Sequence, residues 1–494
     1  MLFSLAIAQA SDTQALREFH ARIVPLAADL KPLDEVFANV RVVGLGEATH
    51  GSREIFQQKG RLFQFLVERH GFRVLALESS MAECLPIDRF VIGGAGTAEG
   101  VLRKQSYWAW QTQEIADLLK WMRRANATRA AASKLRVIGV DMQDKLPLWQ
   151  ALVAELKVKG VKDPIFDDPL WLATKNYEGK IGEAVTRARA WTRGKDALLQ
   201  RLVVAFEQSI ENDRLLLKGE ELYERSEVMS RGAEIKRLAD EALATRPNLS
   251  RAAKDGLKLL SSPVRRVPSL REMRAAAKEL RSVEGLGLCA EALETIILSF
   301  ELAEENAQRQ RDRSMATNLR WIYDSYLPKQ KIAFWAHNSH VGNIDIPGKF
   351  RSTGYHLTKS FVLGYFPLGS VFGSGGLRAI GVEGKVESFT APPAAANSFD
   401  ALMAGLDERA FILSFDGFAR PLKQWLVYAR LSRGVGASYN PSRPDQYYEA
   451  LPMGSVFRGI LFIPRLTAAT PLSNQDHSEE SQTPAPKLCS EGAN

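Results

Sequence analysis

Cysteine is scarce in this chain: Cys84, Cys289 and Cys489 are the only three in 494 residues. An odd count without ligand spacing excludes a disulfide framework or a cysteine-built metal centre as the organising principle. Long apolar runs are missing as well, and nothing approaches the roughly 20 residues that a membrane-spanning helix needs. There is no G-x-S-x-G elbow and no helical H-E-x-x-H, the usual signatures of a serine hydrolase and of a zinc peptidase. Charge does not gather in blocks. The 65 Lys and Arg are interspersed with the 57 Asp and Glu, for a net +8. Without a nucleic-acid reading motif that excess serves solubility, so neither nucleic acid nor membrane is implied as a partner. Histidine, the last scarce residue, occurs seven times, and its placement carries the argument.

What is present begins with a composition that is 45% hydrophobic, enough for a large core. The organising stretch is RVVGLGEATHGS, residues 41–52. An apolar, β-branched run passes through Gly44 and Gly46 and delivers Glu47 and His50. Residues 52–70 have apolar side chains at helical spacing (Ile55, Phe56, Leu62, Phe63, Leu66, Val67), and RVLALES (73–79) is a second strand ending at Glu78. Strand, helix and strand in about forty residues make a βαβ unit. A third strand, LRVIGVD, ends on Asp141, and a fourth, KIAFWA from Lys331, leads into His337, Asn338, Ser339 and His340. Further strands are expected at 360–366, 377–383, 410–415 and 459–464.

The expected fold is α/β, with a central, mainly parallel sheet flanked by helices and a long all-helical insertion. Its division is 1–10, 11–145 as the N-terminal half of the core, 146–325 as the insertion, 326–466 as the second half, and a disordered Ser/Thr/Pro/Gln-rich tail from 467 to 494. The N-terminal run MLFSLAIAQA admits two readings. It is the remnant of an export signal, with Ala8-Gln9-Ala10 in cleavage-site form and a periplasmic or secreted product, or it is a frayed first helix of a cytoplasmic protein.

In open parallel sheets ligands bind beyond the carboxyl ends of the strands. Glu47, His50, Glu78, Asp141, His337 and His340 all occupy that position. Any one of them alone serves equally well as a helix cap or loop anchor; together they describe a pocket. An imidazole can take a proton from water at neutral pH while a carboxylate fixes its tautomer, which is the chemistry of hydrolysis by activated water. Ser52 and Ser339 are candidate nucleophiles by proximity only. The same Glu47, His50, His337 and His340 also form an acceptable N/O set for a divalent metal, the second enzyme reading. A protein that binds a small ligand or metal without turnover is the third. Lys59, at the second turn of the helix after His50, Tyr107, Trp108 and Trp110, and Arg311 on a long late helix are candidates for lining the pocket.

GLGEATHGSREIF, GFRVLALE, SYWAWQTQEIADLLKWMR, RDRSMATNL and WAHNSHVG resemble, in order and spacing, the erythromycin esterase family across residues 33–465. The resemblance implies that the insertion arches over an active-site cleft and that the activity is hydrolysis of a macrolide lactone, a route to antibiotic resistance. It implies His50 as general base on water, with Glu47 beside it, and Glu78, His337 and His340 as further catalytic residues. A basic residue is expected nine positions after the motif histidine, and Lys59 fills it where some members have arginine. Lys59, Arg311, Trp108 and Trp110 are the expected substrate contacts. No cofactor is implied, and metal dependence stays open. The expected partner is a small ester or lactone.

Overall fold

The computed structural model describes residues 11–473 except 28, 167–177, 195, 225–230, 262–269 and 348–349. Among the described residues nine strands join one sheet. In chain order they are β1 (Val24–Pro25), β2 (Val42–Glu47), β3 (Phe72–Ser80), β4 (Arg136–Asp141), β5 (Lys331–His337), β6 (Tyr365–Ile380), β7 (Val386–Ala391), β8 (Phe411–Ser414) and β9 (Gly459–Leu466). Their order across the sheet is β1-β8-β9-β6-β2-β5-β3-β4, with β7 folded back on β6. Every pair from β9 to β4 is parallel, and β1, β8 and β9 form an antiparallel edge.

The runs that end on polar residues are neighbours at the centre. All six residues of β2 are buried, as a parallel strand covered on both faces requires. Register places Glu47 opposite His337. With side chains alternating along each strand, Val43 and Leu45 share one core cluster with Ala333 and Trp335, while Val42 packs on the other face with Ile332 and Phe334. Between Leu77 and Ser80 the β3–β4 register shifts. Gly139 makes this irregularity possible, because a Cβ there would collide with the Ser79 and Ser80 carbonyl oxygens.

Helix α1 (Arg53–His70) follows β2. Ser52 caps its first turn, accepting from Ile55 N at 3.3 Å, and Gly71 ends it at φ 70°, a left-handed cap that glycine adopts freely. Helix α2 (Gln113–Asn126) starts at Thr112 in the same way. From Lys145 to Trp321 the described chain is helical, and its interior divides into two clusters, one around Trp149, Leu202 and Phe206 and one around Leu257, Met273 and Leu293. The last of these helices, α3 (Gly287–Trp321), begins in the second cluster at Cys289. It ends on the sheet, where Met315 and Leu319 pack with Val42 and Val74. This long helix therefore carries Arg311 and Asp312 to the sheet edge. Among the described residues no helix is long and apolar enough to cross a membrane.

Two expectations are corrected. The run expected as a strand at 360–366 is strand only at its end: a helix (Thr353–Phe361) capped by Ser352 runs into it, the chain turns at Val362, and β6 begins at Tyr365 and continues to Ile380, taking in most of the strand expected at 377–383. A short apolar run does not distinguish helix from strand, and here Leu357 and Phe361 pack as a helical face. The disordered tail does not begin at Thr467. Thr467 N and Oγ1 bond Glu54 at 2.6 Å, Ala469 N donates to the Gly51 carbonyl at 2.9 Å, and Thr470 Oγ1 donates to Glu114 at 2.8 Å. Residues 1–10 and 474–494, where an export signal and a disordered tail are expected, lie outside the described residues. Since Glu114 accepts from both the amide and the hydroxyl of Thr470, Glu114→Ala is expected to open the segment locally. A broad-specificity protease should then trim beyond β9 several-fold faster, while far-UV circular dichroism stays unchanged; equal trimming would show that the strap is held elsewhere.

Candidate active site

Beyond β2 the backbone is fixed on both sides: Ala48 N donates to Ser370 Oγ at 2.8 Å, and Val435 N donates to the Ala48 carbonyl at 2.7 Å. Gly51 lies so close to Arg378 that a Cβ would overlap its backbone, which explains the small residue after His50. Glu47 is fully buried, and both its carboxylate oxygens are engaged. Oε1 is 2.6 Å from His50 Nδ1, and Oε2 accepts from Lys59 Nζ and Trp335 Nε1, both at 2.7 Å. Burial opposes ionisation of this carboxyl, but the Lys59 ammonium and then His50 outweigh it and hold its pKa below the ordinary value. Burial in turn draws Lys59 down to about 8 against the attraction of Glu47.

A second group forms where β3, β4 and α3 meet. Arg311 donates from Nη2 to Glu78 at 2.7 Å and from Nε and Nη2 to Asp141 at 3.0 and 2.6 Å. His340, on a short helix α4 (Asn338–Val341), lies 2.9 Å through Nδ1 from Asp312 and 3.2 Å through Nε2 from Glu78. Burial works against its charge, yet Asp312 and then Glu78 raise its pKa to about 10. The imidazolium and Arg311, with Nη1 3.1 Å from Nε2, are offset by the carboxylates of Glu78, Asp141 and Asp312. Burial also opposes ionisation of Glu78, but His340 and then Arg311 hold its pKa well below the usual range.

His340 makes stability depend on pH with a definite sign. Its folded pKa is above the unfolded value, so the stabilisation is complete below pH 6.5, declines as pH rises, and is gone above about 10. Lys59, depressed to about 8, has the opposite sign, since its penalty is relieved only from about pH 8 upward. The decline is therefore cleanest between pH 6.5 and 8. A denaturation midpoint falling across that window, with the slope lost in His340→Gln, is the expected result; an equal slope in the variant would assign it to another group.

His337 joins the two groups. Its backbone N–H donates to Glu78 Oε2 at 2.8 Å, and its ring lies 5.3 Å from that of His50 between centroids. Ser339 N–H donates to Nδ1 at 3.3 Å, with Ser339 Oγ at 2.8 Å. That leaves the proton on Nε2, which is buried and has no hydrogen-bond partner among the described residues. Burial, reinforced by His50, pushes the His337 pKa to about 3, so the ring is neutral. Gly434, whose Cβ would stand 3.7 Å from His337 Cε1, and Gly436 form the adjoining wall. Tyr107 meets the His50 ring edge-on at 5.7 Å.

Glu47, His50, Glu78, His337 and His340 are thus brought together, with Lys59 and Arg311 bonded to them. Lys59 is 1% exposed and lies behind Glu47, so its contact in the structure is the carboxylate, in place of the expected substrate. Trp110 is equally buried, and its N–H donates to the Glu78 carbonyl at 3.2 Å; its ring belongs to the core because α2 and the sheet enclose it. Trp108 is half-buried, with Arg378 over its ring at 5.7 Å. Ser52 is a buried cap. Sequence reasoning assigned no role to Asp312, Trp335 or the Gly434–Gly436 wall. Trp335 stands two residues before His337 on the same strand face, a signal that alternation could have provided. Among the described residues no group of three His, Cys, Asp or Glu side chains has the arrangement to hold a metal; both ring nitrogens of His340 face carboxylates.

The erythromycin esterase family model matches residues 67–466. The chain belongs to the erythromycin esterase family. Over 457 residues it is 22% identical to YbfO of Bacillus subtilis (strain 168), provisionally named a hydrolase, covering 89% of this chain and 86% of that one. A 114-residue stretch is 32% identical to erythromycin esterase type II of Escherichia coli, covering 23% of this chain and 26% of that one. A crystal structure of a Bacillus cereus protein superposes with a TM-score of 0.58 at 18% identity, covering 94% of this chain and 100% of the other. That likeness concerns the fold. As a member of the family, the chain is a hydrolase with an α/β fold.

Proposed function

We propose that the chain hydrolyses a carboxylic ester or lactone by a water that His50 activates. The observation that carries this reading is Glu47 Oε1 2.6 Å from His50 Nδ1, with the His50 ring 5.3 Å from that of His337, whose buried Nε2 has no hydrogen-bond partner among the described residues. With Nδ1–H donated to Glu47, the His50 lone pair is on Nε2, where it can accept a proton from water. The water oxygen then bonds the carbonyl carbon, and the His337 Nε2–H donates to the developing oxyanion. Collapse breaks the ester C–O bond, and His50 returns its proton to the leaving alkoxide. The products are an acid and an alcohol. Glu47 stabilises the transient imidazolium, as a buried carboxylate does in other His-based hydrolases. Arg311, His340 and the carboxylates around them hold Glu78, which fixes the His337 backbone.

The names of the E. coli relatives support a macrolide lactone as the substrate class, with the helical insertion governing its range. Mass spectrometry of macrolides of different ring size after incubation with the protein tests this. Gain of a water is the expected product, whereas intact lactones throughout would send the search to other esters. Turnover should also survive chelator treatment, because the proposed base is an imidazole; loss restored by a divalent ion would replace this mechanism with metal-activated water.

A further inference from the structure

We infer that Trp335 is a positioning residue for the proposed base, an inference that rests on the His50 reading. Oε1 of Glu47 aims at His50 only if the carboxylate cannot turn about its terminal bond, and that torsion is intrinsically soft. What fixes it is the pair of donors on Oε2, Lys59 Nζ and Trp335 Nε1, each at 2.7 Å. They come from different elements, α1 and β5, so together they hold the oxygen from two directions. A lysine alone is a weak clamp, because its ammonium is a point charge on a flexible stem that can follow a turning carboxylate. An arginine at position 59 would bring a planar fork; here the rigid indole N–H supplies the second fixed direction.

The indole also steadies the lysine. Lys59 Nζ lies over the Trp335 ring at 4.2 Å from its centroid, close enough for attraction to the π-face. The ring itself has no freedom, being fully buried and packed edge-on against Phe56 and Trp110 at 5.6 and 6.4 Å. Strand register brings it to Glu47: Trp335 pairs with Leu45, two residues before Glu47, and both side chains emerge on the same sheet face. Trp335 thus acts through Glu47 on the tautomer of His50 and touches neither water nor substrate in this scheme.

Trp335→Phe keeps an aromatic face for Lys59 and removes the N–H. Benzothienylalanine at 335, with sulfur replacing the N–H in the same ring outline, provides the comparison should phenylalanine disturb folding. Selective ¹⁵N-histidine NMR on the protein alone, with the His50 signals assigned by their loss in His50→Gln, reads the tautomer without substrate. The expected result is a single Nδ1–H form in the wild type and a mixture of tautomers in both variants. With a lactone that the wild type opens, kcat should fall about tenfold or more, as for loss of a hydrogen bond to a charged group, while KM barely changes. Unchanged tautomer and kcat in both variants, or an effect confined to KM or to unfolding temperature, would overturn the positioning role. Absence of turnover in the wild type would count against the esterase reading, and the NMR comparison would still decide the role of Trp335.

Discussion

His50→Ala is expected to abolish hydrolysis while leaving the fold in place. Among the described residues the side chain makes one hydrogen bond, to Glu47, and its ring packs against Tyr107 and His337 beyond the end of β2, so truncation removes contacts past the strand and leaves the sheet intact. The catalytic loss should be about 10²–10⁴-fold, the usual contribution of a positioned general base, and larger if Glu47 and His50 act as a unit. Initial rates on the lactone identified by mass spectrometry, together with circular dichroism of the variant, provide the check. Near-wild-type kcat in a folded variant would eliminate His50 as base and direct attention to His337. His50→Gln tests the same point with the polar volume retained and should fare no better, because an amide cannot exchange a proton with water.

Arg311→Ala should be the most destabilising change at the site. It leaves Glu78 and Asp141, both nearly fully buried, without the guanidinium that bridges them at 2.7 and 2.6 Å. Removing one partner of a buried ion network typically costs about 3–5 kcal/mol, because the remaining charges stay desolvated. Among the described residues His340 would then be the cation still in contact with Glu78. Activity should fall with stability, since Glu78 orients the His337 backbone. Arg311→Lys should recover only a fraction, as a single ammonium cannot reproduce the fork that reaches two carboxylates. Chemical denaturation of the three proteins gives the ranking wild type, Lys, Ala. An alanine variant as stable as the wild type would mean that the network relaxes by taking up protons or water at little cost.

The central part of the site was legible because strand chemistry is local. Apolar, β-branched runs ending in Glu47, Glu78, Asp141 and His337 specify both the strand and the edge at which each polar residue emerges, and Ser52 and Gly71 mark the ends of α1. The sequence therefore already implied a pocket of carboxylates and imidazoles beyond a parallel sheet, and the helical character of the long insertion. Local patterning failed where two states share a pattern, as at residues 360–364, and where polar composition concealed a docked segment, as at Thr467–Leu472.

What the sequence by itself determined is the central strands and their helices, the family to which they belong and the residues delivered to the strand ends. Only the tertiary structure decided how those residues divide their labour. Strand order and register set Glu47 against Trp335 and Lys59, and packing of α3 on the sheet places Asp312 beside His340 and Arg311 between two carboxylates. Two histidines three positions apart, His337 and His340, thereby acquire different charge states, one neutral and one cationic: the first is buried beside another imidazole, the second faces two carboxylates. The physical reason is that a charge state depends on partners from distant parts of the chain, and distance in sequence carries no record of them.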